Sequence, residues 1–144
     1  MGNNQKIKLF LVDDDALYLK SLEIDFLQLA DFDIKTFATG EQCIKHLSLK
    51  PDIIILDYHL NSIDKKAMNG IETLDKIKSF YPEIPVVMLS SQDKIEVAID
   101  CMHHKASDYV VKSETAFLRL QKTITTVFKY NKMEKAVNWY MERM

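Results

Sequence analysis

The sequence predicts an α/β fold, a parallel sheet sandwiched between helices. Two observations predict it. Five strand-like segments alternate with five helix-like ones along the chain, and several of those strands are unbroken runs of Ile, Val and Leu. An unbroken apolar strand is buried on both faces, which in a sheet requires helices on both sides. Right-handed crossovers then leave few topologies.

The elements follow in order. Ile7 to Val12 is a short apolar run with β-branched ends, the first strand. It runs into Asp13-Asp14-Asp15, and Asp15 stands where a helix N-cap is wanted. Ala16 to Leu29 carries Leu19, Leu22, Phe26 and Leu29 at helical spacing. Asp33 to Phe37 reads as the second strand. Thr39-Gly40-Glu41-Gln42 is a capping-box pattern that opens a helix through Leu49, before Pro51. Ile53-Ile54-Ile55-Leu56 is the third strand and ends at Asp57. A polar stretch from Tyr58 to Met68 leads to a second capped start, Asn69-Gly70-Ile71-Glu72, and a helix to about Tyr81. Pro82 and Pro85 bracket the turn into Val86-Val87-Met88-Leu89. Ser90-Ser91 precedes a helix near Lys94 to His104, and either serine has the chemistry of a cap. Tyr109-Val110-Val111 is the last strand, and Ser113 can cap a long final helix.

Bulk properties bound the function. The 144 residues fit one domain, and 47% apolar content supports a real core. A net charge of −2 gives no overall drive toward nucleic acid or anionic membrane. Two distant cysteines, Cys43 and Cys101, form no disulfide framework and fit a reduced, cytoplasmic setting. No apolar run approaches the roughly 20 residues of a membrane span. The first residues, MGNNQKIK, lack a secretory core, and Lys6 stands where a myristoylation signal wants Ser or Thr.

In open α/β sheets, sites form beyond the carboxyl ends of the strands. The first strand here ends on Asp13-Asp14-Asp15, the third on Asp57, the fourth on Ser90-Ser91 and the fifth on Lys112. Each alone has an ordinary explanation as a cap, a turn residue or a solvated lysine. Together they bring carboxylates, a hydroxyl and an ammonium to one edge of the sheet. Asp13, Asp14 and Asp57 repel one another unless a cation joins them. Mg²⁺ suits an all-oxygen site of a few carboxylates. An ionised Asp57 is then a nucleophile toward phosphorus, with Lys112 and Ser90 to neutralise the transferring oxygens.

With LVDDD at 11–15, IIILD at 53–57, MNGIE at 68–72, VVMLSS at 86–91 and DYVVK at 108–112, the chain resembles the receiver domain of two-component response regulators. The resemblance covers about residues 6–128. It implies a flavodoxin-like three-layer sandwich, with a five-stranded parallel sheet of order 2-1-3-4-5 and five helices, the last of them extended. It implies that Asp57 accepts a phosphoryl group from a phosphohistidine of a sensor histidine kinase or phosphotransfer protein. It assigns Mg²⁺ to Asp13, Asp14, Asp57 and the backbone carbonyl of His59. Ser90 would be the switch hydroxyl, Tyr109 the switch aromatic, and Lys112 the partner of the phosphoryl group. His59 and Gln92 would tune the phosphoryl lifetime.

The chain departs from that family's pattern in places. The connection from Asp57 to Gly70 is longer than the family's, lacks its Met-Pro and has Asn69 for the usual Asp. The extra part, near Asn61 to Lys66, is either a tolerated surface insertion or a lid beside the site. Lys112 is followed by Ser113 where the family usually has Pro. A cis non-proline bond costs about 2.5–4 kcal/mol, so Lys112–Ser113 is expected to be trans. Cys43-x-x-His46 and Cys101-x-x-His104 have zinc-pair spacing, but an intervening helix would keep them apart, and the cysteines are read as packing residues.

The receiver is read as residues 1–128, and 129–144 as a helical extension for dimerisation or for linking to an output domain. The final helix is expected to pack through Leu120, Ile124 and Val127. Tyr130, Met133, Val137, Tyr140 and Met144 then continue an apolar seam, with Trp139 off it. A seam so short needs a partner, which could be a second copy in a homodimer. Three functions compete. The first is a phosphorylation-driven switch without separate substrate turnover. The second is a degenerate receiver acting only as an interaction module. The third is a phosphatase, which would want a second acid where His59 stands. No Gly-rich turn follows the first strand, so a dinucleotide site is excluded. The chain is expected to be a stand-alone regulator or a receiver from a longer protein, binding neither nucleic acid nor membrane.

Overall fold

The structure, a computed structural model, describes residues 6–29 and 31–143, and the side chains of 129–140 lie outside the description. Five strands, β1 (Ile7–Val12), β2 (Phe32–Phe37), β3 (Ile53–Asp57), β4 (Val86–Ser90) and β5 (Asp108–Val111), alternate with five helices. The helices are α1 (Ala16–Leu27), α2 (Gly40–Lys45), α3 (Gly70–Phe80), α4 (Ile95–His103) and α5 (Ala116–Glu142). All pairings are parallel and the strand order is β2-β1-β3-β4-β5, as the resemblance implies.

Strand parity divides the core in two. Phe10, Val12, Ile54, Leu56, Val86 and Met88 point to one face, where they meet Cys43, Leu47, Leu74, Ile77 and Cys101. Leu9, Leu11, Ile53, Ile55, Val87, Leu89 and Val110 point to the other and meet Leu22, Phe26, Leu120 and Ile124. Val127 packs at the edge of that second face. Each fully buried aliphatic side chain contributes about 1.5–3 kcal/mol, so both faces are needed to offset chain entropy. Phe26 joins α1 to β2 and α5 through edge-on contacts with Phe32 and Phe117.

The ends of the elements follow their caps. Asp15 accepts from the N–H groups of Leu17 and Tyr18, 3.1 Å each. Asn69 and Glu72 form a reciprocal capping box at α3. At α2 the box is half made: Thr39 accepts from Gln42 N, while the Gln42 side chain accepts from Ala38 N instead of the cap residue. The helix expected to reach Leu49 ends at Lys45 and gives way to a 3₁₀ turn, Leu47–Leu49. Pro51 bars Lys50 from helical geometry, and Lys50 sits at φ 55°, so no helix continues past that turn. Ser90 is the last residue of β4, and Lys94 occupies the N-cap of α4 without a side-chain bond, so neither serine is the expected cap. Helix α5 opens at Ala116, past Ser113, whose carbonyl accepts from Ala116 N. No peptide bond among the described residues is cis, so Lys112–Ser113 is trans as expected.

The candidate zinc pairs do not meet. Cys43 and Cys101 are fully buried in the core, and burial pushes their thiols up to about 12 and about 11. His46 bonds the Gln42 carbonyl, and His104 reaches Asp75 on α3. The side chains of Tyr130, Met133, Val137, Trp139 and Tyr140, and the whole of Met144, lie outside the described part.

Candidate functional site

Order β2-β1-β3-β4-β5 sets the carboxyl ends of β1 and β3 side by side and flanks them with those of β4 and β5. The consecutive aspartates after β1 then divide their work. Asp15 caps α1 at the edge of the cleft. Asp13 is 2% exposed; its Oδ1 accepts from Asp15 N at 2.9 Å, and its Oδ2 points inward. Asp14 is half-buried, and its Oδ2 accepts from the backbone N–H of Ser62 (2.9 Å) and of Ile63 (3.3 Å).

Asp57 closes β3 and is 3% exposed. It has this position because α3 begins hard against the chain that follows it. Gly70 N donates to the Tyr58 carbonyl at 3.0 Å, and a Cβ on Gly70 would lie 2.5 Å from the Asp57 carbonyl oxygen. Only glycine tolerates that approach. Burial raises the Asp57 carboxyl to about 8, Asp13 adds to the rise, and Lys112 and the His59 N–H oppose it.

Lys112, one residue past β5, is the counter-charge. Its Nζ lies 2.9 Å from Asp13 Oδ2 and 3.5 Å from Asp57 Oδ1. Asp13 Oδ2 is buried, and the Lys112 ammonium is its near counter-charge. Burial works against the ammonium, but Asp13 and Asp57 outweigh it and hold the Lys112 pKa above the ordinary value. The same Nζ stands 4.5 Å above the ring of Tyr18. Attraction to the two carboxylates and cation–π contact hold the ammonium over the acids.

The residues after β4 form a second group around Gln92. Ser90 is fully buried, and its Oγ accepts from Gln92 N at 3.0 Å. The Tyr109 hydroxyl donates to the Gln92 carbonyl. The Gln92 amide nitrogen lies 3.4 Å from His59 Nε2. One residue thus touches the expected switch hydroxyl, the switch aromatic and the residue two past Asp57.

A cleft of about 480 Å³ opens over these groups, lined by Asp14, Asp57, His59, Ser62, Ile63, Ser91 and Lys112 among others. Ser91 rather than Ser90 lines it. Asp13, Asp14 and Asp57 each offer a carboxylate oxygen, all within 4.8 Å of one another, and they are the one such cluster among the described residues. An all-oxygen set of three carboxylates, faced by the single ammonium of Lys112, fits a hard divalent cation. Chemically, the site can hold a cation, present one carboxylate as a nucleophile and neutralise an incoming anion.

Sequence reasoning missed four participants: the Tyr18 ring, the Ser62 and Ile63 amides, and Glu41, whose Oε2 accepts from Met68 N at 2.9 Å. Tyr18 carried a usable signal. It is the third residue of α1 after the Asp15 cap, on the first turn beside the site.

Comparison with known proteins agrees with the fold. The family profile described as "Response regulator receiver domain" matches residues 9–138. A protein-glutamate methylesterase/protein-glutamine glutaminase of Clostridium acetobutylicum is 35% identical over 119 residues, which are 78% of this chain and 32% of that protein's length. A CheY-like response regulator receiver domain protein from Methanospirillum hungatei shares the fold, with a TM-score of 0.76 at 20% identity over 90% of this chain and 98% of its own. A chain of the CheX–CheY–BeF₃–Mg²⁺ complex of Borrelia burgdorferi gives a TM-score of 0.75 at 26% identity, covering 86% of this chain and 90% of that one.

Proposed function

This chain belongs to the response regulator receiver domain family, and on that premise we propose that it is a phosphorylation-activated switch whose phosphoryl acceptor is Asp57. The observation that carries the proposal is the burial of the Asp57 carboxylate beside Asp13, within 3.5 Å of the Lys112 ammonium, on the floor of an open cleft.

The donor is a phosphohistidine of a sensor histidine kinase or phosphotransfer protein. An Asp57 oxygen forms the new P–O bond as the P–N bond breaks, and the electron pair of that bond returns to the imidazole. Asp13, Asp14, Asp57 and the His59 carbonyl are the residues that would hold Mg²⁺. Bound there, the cation supplies positive charge against the transferring oxygens. Lys112 supplies the same from the other side, and its contacts with Asp13 and Tyr18 keep it in place before the phosphoryl group arrives.

Signalling follows from the Gln92 group. For the Ser90 hydroxyl to reach a phosphoryl group on Asp57 it must leave Gln92 N, and that movement loosens the loop whose carbonyl holds Tyr109. His59 and Gln92, in contact with each other beside the cleft, then govern how water reaches the phosphoryl group. The receiver is residues 1–128, and 129–144 serve a partner helix, such as that of a second copy. No helix among the described residues is long and apolar enough to cross a membrane. We place the protein with its kinase in the cytoplasm.

The test is incubation with acetyl phosphate and Mg²⁺, read by intact mass, and with beryllium fluoride and Mg²⁺, read by amide NMR. The parent should gain one phosphoryl group and shift signals near Ser90, Gln92 and Tyr109, whereas Asp57→Asn should do neither. No response in the parent would leave only an interaction module. Sustained turnover of small phosphate esters would point to a phosphatase.

A further inference from the structure

The segment between β3 and α3 is a built loop. Leu60 is buried in the core beneath it. Asp64 organises its middle, its carboxylate accepting from Lys66 N and its carbonyl from Ala67 N, 3.0 Å each. Glu41 of α2 holds Met68 N. With both flanks fixed, Ser62 and Ile63 turn their N–H groups onto the same oxygen of Asp14. A loop that merely filled the surface would leave these donors to water. Here they converge on a carboxylate beside Asp57, from a position 48 residues along the chain.

We propose that Ser62 and Ile63 are positioning residues for Asp14, and that this loop thereby sets the affinity of the site for a divalent cation. Asp14 is the most exposed member of the acidic trio and the one with most rotamer freedom to lose. Two donors on Oδ2 fix its carboxylate plane and leave Oδ1 for the cation. Hydrogen-bonded outer partners of metal ligands generally matter in this way. The donors also bring positive partial charge to a cluster of like charges, so Asp14 is held inward without a partner ion. The inference rests on the proposed function, since it concerns cation binding at the same acids.

The test is Mg²⁺ titration of the full chain, followed by calorimetry and amide NMR. Ser62→Pro deletes one donor, and Ser62→Ala keeps it. Losing an outer-sphere partner should weaken Mg²⁺ binding about tenfold in Ser62→Pro, while Ser62→Ala stays within about twofold of the parent. Hydrogen exchange in the folded parent gives a second readout that needs no loop variant. The Ser62 and Ile63 amides should be protected, should remain so with saturating Mg²⁺, and should lose protection in Asp14→Ala. Unchanged or tighter Mg²⁺ binding in Ser62→Pro overturns the proposal alone, as does loss of protection on adding Mg²⁺ to the parent. A parent that binds no Mg²⁺ overturns both this inference and the reading of the site.

Discussion

Asp57→Asn should make the protein more stable, by an amount that depends on pH. In the folded chain the Asp57 carboxyl is raised to about 8, first by burial and then by Asp13. In the unfolded chain it titrates near the ordinary value of about 4. The folded state therefore binds this proton more tightly than the unfolded state. That contribution is fully present below about pH 4 and is lost as pH rises toward 8. At pH 7 about three units separate the medium from the ordinary carboxyl value, and each is worth about 1.4 kcal/mol, so the ceiling is about 4 kcal/mol. The new amide must find hydrogen-bond partners in the same buried site, so the expected gain is about 2 kcal/mol. For a domain of this size that raises Tm by about 8 °C. The assay is thermal unfolding of parent and variant from pH 4 to 8, with and without Mg²⁺. The gap should be near zero at pH 4, should widen with pH, and should shrink when saturating Mg²⁺ stabilises the parent. A constant gap, or a less stable variant at pH 7, would refute the reasoning.

Other outcomes follow from single contacts. Gly70→Ala places a Cβ 2.5 Å from the Asp57 carbonyl oxygen and 2.7 Å from Tyr58 Cα, both backbone atoms that cannot swing aside. Urea unfolding should show a loss of about 2 kcal/mol or more. Lys112→Met removes the ammonium that faces Asp13 and Asp57, and phosphorylation by acetyl phosphate should slow about 100-fold at saturating Mg²⁺. His104 links α4 to α3 through Nδ1, 2.7 Å from Asp75, and this hydrogen bond raises its pKa above the usual value. Its stabilisation is present at pH 6 and lost as pH rises through the raised value. His104→Asn should therefore lower Tm at pH 6 and leave it unchanged at pH 9.

Much of this was legible in the sequence, because the chemistry is carried by side chains at strand ends. Ile53-Ile54-Ile55-Leu56 alternates between two cores, so an unbroken apolar run was a sound sign of a strand covered on both faces. Asp15 and Asn69 cap their helices as their side chains predicted, because capping is settled within a few residues. Strand order is a long-range property, and it came from the resemblance and not from periodicity. Errors arose where two local signals competed. Ser90 has a cap's chemistry but its backbone belongs to β4, and Ser113 precedes α5 by too many residues to cap it. The loop over Asp14 was illegible for a different reason. Its donors are backbone N–H groups, which every residue except proline has, so no residue type at 62 or 63 could announce them.

The hydrogen bond from Gly70 N to the Tyr58 carbonyl also acts as a neck. It closes the connection below the loop, so α3 starts from the same point however much chain lies above. Closure entropy grows only with the logarithm of length, and lengthening such a loop costs a few tenths of a kcal/mol. The loop can thus be extended without moving Asp57, provided the Asp64 turn that holds Ser62 and Ile63 over Asp14 is kept. It is a port in the scaffold, where a reporter or recognition peptide could sit beside the acceptor while the sheet that holds the acceptor stays as it is.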